Sequence, residues 1–178
     1  AVDPVPALVA AARRRGAPGP GCGVAHRHLD LARTALGEDG RFDVVVSLHS
    51  LYWHPDPMAL LVACRHALRP GGHAVVLTYA RPAEVGATFG ALRAGAGLGE
   101  AVRALRWLVP TATFEMLRRC ERLYLGPAEL SALMREVGFD ILESRRTFLA
   151  GLSSLVWARA ANEPGRFPGR TDAEGITS

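Results

Sequence analysis

The sequence predicts an α/β fold, in which helices cover both faces of a mostly parallel sheet and an antiparallel hairpin closes the chain. Strand-like and helix-like segments alternate over much of the 178 residues, which is typical of parallel sheets with right-handed crossovers. The run Val44 to Val46 is β-branched and too short for a helix, as in a strand buried on both faces. Two strand-like runs, 139–148 and 152–160, are joined by three residues, and so short a connection makes them antiparallel.

The first segments predict a strand end, a helix and a second strand. Residues 1–4 end a strand, and residues 6–15 form a helix that begins at Pro6 and ends before Gly16. A glycine-rich loop leads to a strand over 24–31. Asp3 and Asp30 each lie at a strand end, where a carboxylate caps the next helix or turn, or accepts hydrogen bonds from a ligand. For Asp3 that ligand group is a ribose diol, and for Asp30 an amino group on a base.

Four polar or amphipathic side chains follow the central strand, which starts at Phe42: His49, Tyr52, Trp53 and His54. Open α/β sheets bind ligands at the carboxyl ends of their strands. His49 is therefore the first candidate for a general base and His54 the second, because the imidazole pKa suits proton transfer near neutral pH. The alternative for both is a hydrogen-bonded or packing histidine. Tyr52 and Trp53 either shape a substrate pocket or pack on the next helix.

The remaining segments complete the alternation. An amphipathic helix over 57–68 is followed by a Pro-Gly-Gly turn at 70–72 and a strand over 73–79. Residues 84–125 break the rhythm with helices expected near 100–108 and 113–121, which form either a lid over the ligand-facing edge or an extra packing pair. A helix over 126–138 precedes the hairpin. Residues 161–178 are polar and rich in Gly and Pro, which predicts a disordered tail after a single domain over 1–160.

Composition excludes several classes of protein. No apolar run approaches the ~20 residues of a membrane helix and no signal peptide opens the chain, so we expect a cytoplasmic protein without a membrane partner. The net charge of +4 comes from scattered arginines without a single lysine, which argues against a nucleic-acid partner. Cys22, Cys64 and Cys120 form no Cys-x-x-Cys pair, so neither a metal site nor a disulfide framework is indicated.

Five motifs occur in an order that resembles the class I S-adenosylmethionine-dependent methyltransferases that act on small molecules. Each motif is weak alone, but together they cover residues 1–160: Val2-Asp3-Pro4, His28-Leu29-Asp30, Phe42-Asp43-Val44-Val45-Val46-Ser47, Leu68-Arg69-Pro70-Gly71-Gly72 and Glu136-Val137-Gly138-Phe139. The resemblance implies a Rossmann-like fold, S-adenosylmethionine as cofactor and a small-molecule acceptor.

The resemblance also implies roles for individual residues. The acid that ends the family's second strand binds the cofactor ribose, and this position matches Asp3. The acid that ends the third strand binds the adenine amino group; it matches Asp30, with Leu31 beside it supplying apolar contact. The end of the fourth strand, which matches Ser47, Leu48 and His49, lies by the methionine part and the methyl group. Arg81 is a further candidate for acceptor contact.

One family motif is missing: no Gly-x-Gly-x-Gly loop follows a first strand. The glycines at 19–23 follow no hydrophobic strand and lie after Asp3. We therefore expect that the chain begins at the family's second strand, is truncated by the first strand and its loop, and binds the cofactor poorly. The competing hypotheses are a non-catalytic remnant or binding module, and another doubly wound nucleotide binder. The antiparallel hairpin after Gly138 argues against the last.

Overall fold

A computed structural model describes residues 1–16, 23–31, 40–117 and 123–161, without the side chains of 114 and 115. In chain order the strands are β1 (Val2–Asp3), β2 (Arg27–His28), β3 (Phe42–Leu48), β4 (Leu68–Tyr79), β5 (Phe139–Thr147) and β6 (Ser153–Ala160). The helices are α1 (Pro6–Arg15), α2 (Pro57–Ala67), α3 (Val85–Ala96), α4 (Leu98–Leu117) and α5 (Pro127–Glu136), with one 3₁₀ turn at Leu51–Trp53. The predicted tail over 161–178 lies outside the described residues, apart from Ala161.

The described strands form two sheets. One consists of the parallel pair β1 and β2, and the other has the order β3-β4-β6-β5. Strands β3 and β4 are parallel, whereas β6 is antiparallel to both β4 and β5. The α/β class, the parallel pairs and the antiparallel closing hairpin are therefore confirmed. The strand predicted over 24–31 is shorter than expected, because only Arg27 and His28 pair with β1.

The main core lies on one face of the four-stranded sheet. Helices α2 and α5 both pack there, with Leu61 from α2 and Leu130 from α5 fully buried over Val76 and Val156 of the central strands. Cys64 is buried in the same layer, where its thiol packs as a small hydrophobic group. The buried guanidinium of Arg65 donates hydrogen bonds to the carbonyls of Gly138 and Ala161. These two bonds tie α2 to both ends of the closing hairpin.

The opposite face of β3 is open in the described residues. Val44, Val46 and Leu48 are 52%, 57% and 61% exposed, although the β-branched run predicts a strand covered on both faces. Only the side chains that alternate with them, including the buried Ser47, face the core. β3 is also the edge of its sheet. Among the described residues, neither a helix nor a neighbouring strand covers this apolar surface.

The Pro-Gly-Gly segment is an irregularity inside β4, and the prediction of a separate turn before the strand is wrong. Phe42 pairs with Leu68 and Val44 with His73, so β4 takes five residues where β3 takes two. Gly71 has a φ of 75°, which a glycine adopts without strain. Gly72 is packed so closely that an added Cβ would lie 3.0 Å from the Arg69 carbonyl oxygen and 3.1 Å from that of Asp43. The bulge realigns the strand before its regular pairing begins.

The helical region over 84–125 differs from the prediction in its elements. Helix α3 was not expected, and α4 is one helix that runs through Pro110, where two shorter helices were predicted. Pro110 removes the backbone donor that would bond the Arg106 carbonyl, and the Thr111 hydroxyl donates to the next carbonyl, that of Trp107, at 2.8 Å. Burial of Ala101, Ala104 and Leu108 holds the helix together. Tertiary packing thus overrides the local helix-breaking signals.

We predict that Gly72→Ala destabilises the fold by about 1–3 kcal/mol, because the new methyl group would collide with two backbone carbonyls. The free energy of unfolding from urea titration measures the effect. Gly90→Ala in α3 is the matched control, since nothing lies within 4 Å of its Cβ position, and there the helix propensity of alanine should stabilise by about 0.5–1 kcal/mol. Equal effects at both positions would contradict the close packing of Gly72.

Candidate active site at the carboxyl end of the sheet

His49 lies one residue beyond β3 and has a left-handed backbone, with a φ of 53°. Histidine is among the few residues that adopt this conformation readily. A hydrogen bond fixes this conformation: the His49 N–H donates to the Leu77 carbonyl at 2.6 Å. This bond continues the β3–β4 ladder past the strand end. It turns His49 toward Tyr79, the last residue of β4.

An aromatic cluster surrounds His49. Its imidazole stacks on the Tyr79 ring with centroids 4.2 Å apart and an interplanar angle of 28°. Tyr52 meets Tyr79 edge to face at 5.0 Å and meets Trp53 at 4.3 Å. The Tyr124 ring lies 5.5 Å from Tyr52, and the two hydroxyl oxygens are 3.5 Å apart. Tyr52 is 1% exposed, so it forms the base of the cluster.

Tyr79 and Tyr124 belong to this cluster but were not among the predicted site residues. The rule that identified His49 also applies to Tyr79, because Tyr79 is the last residue of the predicted strand 73–79. No comparable signal marks Tyr124, which lies between α4 and α5 in the sequence. Its position becomes clear only in the fold, where the Leu125 N–H donates to the Tyr79 carbonyl.

Several buried polar atoms at this end of the sheet have no hydrogen-bond partner: the Ser47, Thr78 and Ser153 hydroxyl oxygens, Nδ1 of His49 and Nε2 of His54. Buried polar groups are normally satisfied, and each exception calls for an explanation. Ser47 and His49 lie at the end of β3, and Thr78 and Ser153 at the neighbouring ends of β4 and β6. A bound polar ligand would supply partners to such atoms.

His54 lies after the 3₁₀ turn and is held by local bonds. Its Nδ1 accepts a hydrogen bond from the Asp56 N–H at 3.1 Å, while the Asp56 carboxylate caps α2 by accepting from the Ala59 N–H at 2.9 Å. His54 therefore has a definite structural role at the start of α2. Its assignment as a second general base stays a prediction.

Burial lowers the pKa of His49 below the ordinary value of 6.5, since a desolvated imidazole loses the hydration that favours its charged form. Within the described ranges no carboxylate forms an ion pair or hydrogen bond with the ring to oppose this effect. The imidazole is consequently neutral at physiological pH. A neutral imidazole can accept a proton, which is what a general base must do.

Asp3 and Asp30 both lie at the carboxyl end of the two-stranded sheet, Asp3 as the last residue of β1 and Asp30 two residues beyond β2. Leu29, which precedes Asp30, donates its N–H to the Asp3 carbonyl at 3.2 Å. The Asp3 carboxylate accepts a hydrogen bond from the Val5 N–H at 2.7 Å, so it caps the segment before α1 while remaining half-buried. Leu31 packs against the main core, to which Leu51 also belongs. This contact connects the end of β2 to the core beneath the aromatic cluster.

Arg81 joins three elements around the end of β4. Its guanidinium donates to the Thr88 hydroxyl of α3 at 3.2 Å, and to the carbonyls of Pro82 and Ala150 at 3.4 Å. Ala150 lies in the turn between β5 and β6. These bonds give Arg81 a structural function, and its predicted contact with an acceptor remains a prediction. Among the described residues, no group of three His, Cys, Asp or Glu side chains could hold a metal ion.

Comparison with known proteins identifies the class to which this site belongs. A family model described as a methyltransferase domain matches residues 1–144. The chain therefore belongs to the S-adenosylmethionine-dependent methyltransferases, and the predicted resemblance is confirmed.

Within the described ranges, no helix is both long and apolar enough to cross a membrane.

The curated relatives are small-molecule methyltransferases. The chain is 30% identical to a ubiquinone biosynthesis O-methyltransferase of Xylella fastidiosa (strain M23) over 172 residues, which cover 97% of this chain and 60% of the relative. It is 31% identical to the enzyme of the same name from Cereibacter sphaeroides over 132 residues, 74% of this chain and 47% of the relative. The chain thus spans about half to three-fifths of the length of these relatives.

Solved structures share the fold at lower identity. An S-adenosylmethionine-dependent methyltransferase from Mesorhizobium loti matches with a TM-score of 0.60 and 19% identity, over 89% of this chain and 78% of that one. The 1,6-didemethyltoxoflavin-N1-methyltransferase of Burkholderia thailandensis, solved with S-adenosylhomocysteine bound, matches with a TM-score of 0.54 and 21% identity, over 90% of this chain and 60% of that one.

The described residues fit one part of the family's cofactor. Half-buried carboxylates at the ends of two neighbouring parallel strands provide hydrogen-bond acceptors for an adenosine. The unpartnered Ser47 hydroxyl and His49 Nδ1 provide polar groups at the carboxyl end of β3, in the four-stranded sheet. The two Gly-x-Gly-x-Gly runs of the sequence, at 19–23 and 95–99, lie after helix α1 and at the end of helix α3 in chain order and not directly after a strand, so neither matches the family's loop for the amino-acid end.

We predict that acid destabilises the fold partly through His49. Its pKa is lowered in the folded state, so unfolding binds a proton as the pH falls below about 6.5. The stability that His49 contributes is thus fully present above that pH and is lost as the pH falls toward its folded pKa. Urea titrations at about pH 7.5 and about pH 5.5 should show a smaller acid loss for His49→Asn than for the unaltered chain. Equal losses would contradict the prediction.

Proposed function

We propose that the site methylates a hydroxyl group of a small-molecule acceptor, with His49 as the general base. The observation that carries the proposal is a half-buried imidazole, stacked on Tyr79 and with an unpartnered Nδ1, just past the carboxyl end of a parallel strand. A hydroxyl acceptor is a poor nucleophile until its proton is removed, so methylation of a hydroxyl group calls for a general base. The names of the curated O-methyltransferase relatives support the same choice.

The cofactor, when bound, supplies an electrophilic methyl group. Asp3 and Asp30 would accept hydrogen bonds from the ribose hydroxyls and from the adenine amino group, with Leu31 packing beside the base. Ser47 and Leu48 would line the methionine part at the end of β3. The protein's task in this reaction is mainly to orient the acceptor and exclude water.

The aromatic cluster and its neighbours would form the acceptor pocket. Tyr52 supports the pocket from below, because it is buried and contacts both Trp53 and Tyr79. Arg81 connects the pocket to α3 and thereby to the helical pair proposed as a lid. Closure of such a pair would keep water from the methyl group. His49 would take the acceptor proton onto its imidazole, and His54 is the second candidate for that role.

We predict that the 178-residue chain binds S-adenosylhomocysteine weakly, with no micromolar binding in a calorimetric titration, because only part of the cofactor site is supplied. Amide chemical shifts of a ¹⁵N-labelled sample report weaker binding. Added S-adenosylhomocysteine should shift the signals near Asp30 and near Ser47. Asp30→Asn should reduce the affinity about tenfold, as expected for one lost charge-assisted hydrogen bond.

Asp43→Asn is the matched control for that titration. Asp43 is exposed, pairs with Arg69 and lies at the opposite end of β3. Its replacement should leave the affinity unchanged. Micromolar binding by the unaltered chain would contradict the expected weakness, and equal effects of the two variants would contradict the role of Asp30.

We predict that His49→Asn lowers kcat/KM for methylation of a phenol by about 10²–10⁴-fold. Asparagine tolerates the left-handed backbone of this position, so the loss would reflect the missing base. The rate is measured by the transfer of a radiolabelled methyl group from S-adenosylmethionine to a phenolic acceptor such as a catechol. His73→Asn is the control, because His73 bonds Trp157 at the other end of β4 and should leave the rate unchanged. A rate for His49→Asn equal to that of the unaltered chain would overturn the assignment.

The second candidate function is a binding module without turnover. The open apolar face of β3, with Val44, Val46 and Leu48 exposed, favours it, since such patches commonly mark contact with another segment or protein. This alternative would be favoured if the cofactor shifts the amide signals of the chain but no methyl group is transferred to either a phenol or a catechol.

A further inference from the structure

We propose that Tyr79 is a positioning residue for His49: its ring orients the imidazole and shields it from water. The proposal rests on the role of His49 proposed above, but its geometry stands independently. The two rings stack with centroids 4.2 Å apart and an interplanar angle of 28°. A flat ring at this distance occupies the volume that water would otherwise take on that side of the imidazole. The stack also limits rotation of the His49 side chain.

Tyr79 is itself held from three directions. Its backbone pairs with Ser153 of β6, and its carbonyl accepts a hydrogen bond from the Leu125 N–H at 3.0 Å. The ring receives the edge of Tyr52 at 5.0 Å and an interplanar angle of 78°, and Tyr52 in turn contacts Tyr124. A chain of aromatic contacts therefore transmits the rigidity of the buried Tyr52 to His49. Since the backbone of Tyr79 is anchored independently of its ring, side-chain variants at this position should fold.

Within the described ranges, burial and not a neighbouring charged group shifts the pKa of His49. Among the described residues, the elements next to it present the phenol rings of Tyr79 and Tyr52 and, beyond them, that of Tyr124. The nearby ionic groups are bound elsewhere: Arg81 donates to Thr88, Pro82 and Ala150, and Asp56 caps α2. Desolvation is the cause of the lowered pKa of His49. Removal of the stacked ring should therefore let water in and raise that pKa.

The experiment is an NMR titration of the His49 imidazole in the 178-residue chain and in three variants of Tyr79. Tyr79→Phe keeps the flat ring and should leave the His49 pKa within about 0.2 of that in the unaltered chain. Tyr79→Leu removes the flat ring, and should raise the pKa toward the ordinary value of 6.5 by more than Tyr79→Phe does. Tyr79→Ala is the second ring-free variant, and its small side chain leaves the space of the ring open to water. Amide spectra establish that each variant keeps the fold.

An unchanged His49 pKa in both ring-free variants would overturn the proposal. So would an equal rise in Tyr79→Phe and Tyr79→Leu, because the effect would then belong to the phenol hydroxyl. The pH profile of kcat/KM for phenol methylation gives the functional counterpart. The acidic limb of this profile should move to higher pH in Tyr79→Leu and should keep its position in Tyr79→Phe.

The titration separates this proposal from the proposed function. If His49 is not the base, His49→Asn will keep its methylation rate, yet the ring-free variants will still raise the pKa of His49. If Tyr79 does not position the imidazole, the pKa will not respond to the ring-free variants, whatever the rate of His49→Asn. Each claim therefore fails on its own measurement.

Discussion

The parallel pairing of β3 with β4 is the interaction on which the rest of the site depends. From Val44 to Leu48 the register is regular against residues 73 to 77, and one further bond, from the His49 N–H to the Leu77 carbonyl, carries it past the strand end. Because the two strands end together, His49 and Tyr79 meet as a stacked pair. The bulge at Gly71 and Gly72 sets this register. A change there would therefore displace the imidazole as well as weaken the sheet.

The fold divides sharply between a packed face and an open one. Helices α2 and α5 bury one side of the four-stranded sheet. Arg65 of α2 also bonds the hairpin, through the carbonyls of Gly138 and Ala161. On the other side, Val44, Val46 and Leu48 remain exposed along an edge strand. An apolar face combined with an unpaired edge is a ready site for further pairing. The end of the sheet that carries His49 is consequently better supported by its core than by its open face.

The local signals predicted much of this architecture. Proline at the start and glycine at the end identified α1 and α5 within one or two residues, and the three-residue connection identified the antiparallel hairpin. Two errors came from reading local chemistry without its surroundings. Two helices near 100–108 and 113–121 were predicted where packing keeps one helix intact through Pro110, and the glycine-rich segment of α3 has little helix propensity of its own. At the site, His49 and Tyr52 were identified from their place after a strand, whereas Tyr124 could not be, because its partners are distant in sequence.

The sequence by itself determined the order of strands and helices outside residues 84–125, the family, and the strand ends at which Asp3, Asp30 and His49 lie. These properties depend on hydrophobic periodicity, turn residues and short motifs, which are local. Only the tertiary structure decided that His49 is stacked and half-buried, that Tyr79 and Tyr124 complete its surroundings, and that one face of β3 is open among the described residues. The reason is physical: burial and ring contacts are set by residues from β4, the 3₁₀ turn and the segment before α5, which the fold brings together and no stretch of sequence contains.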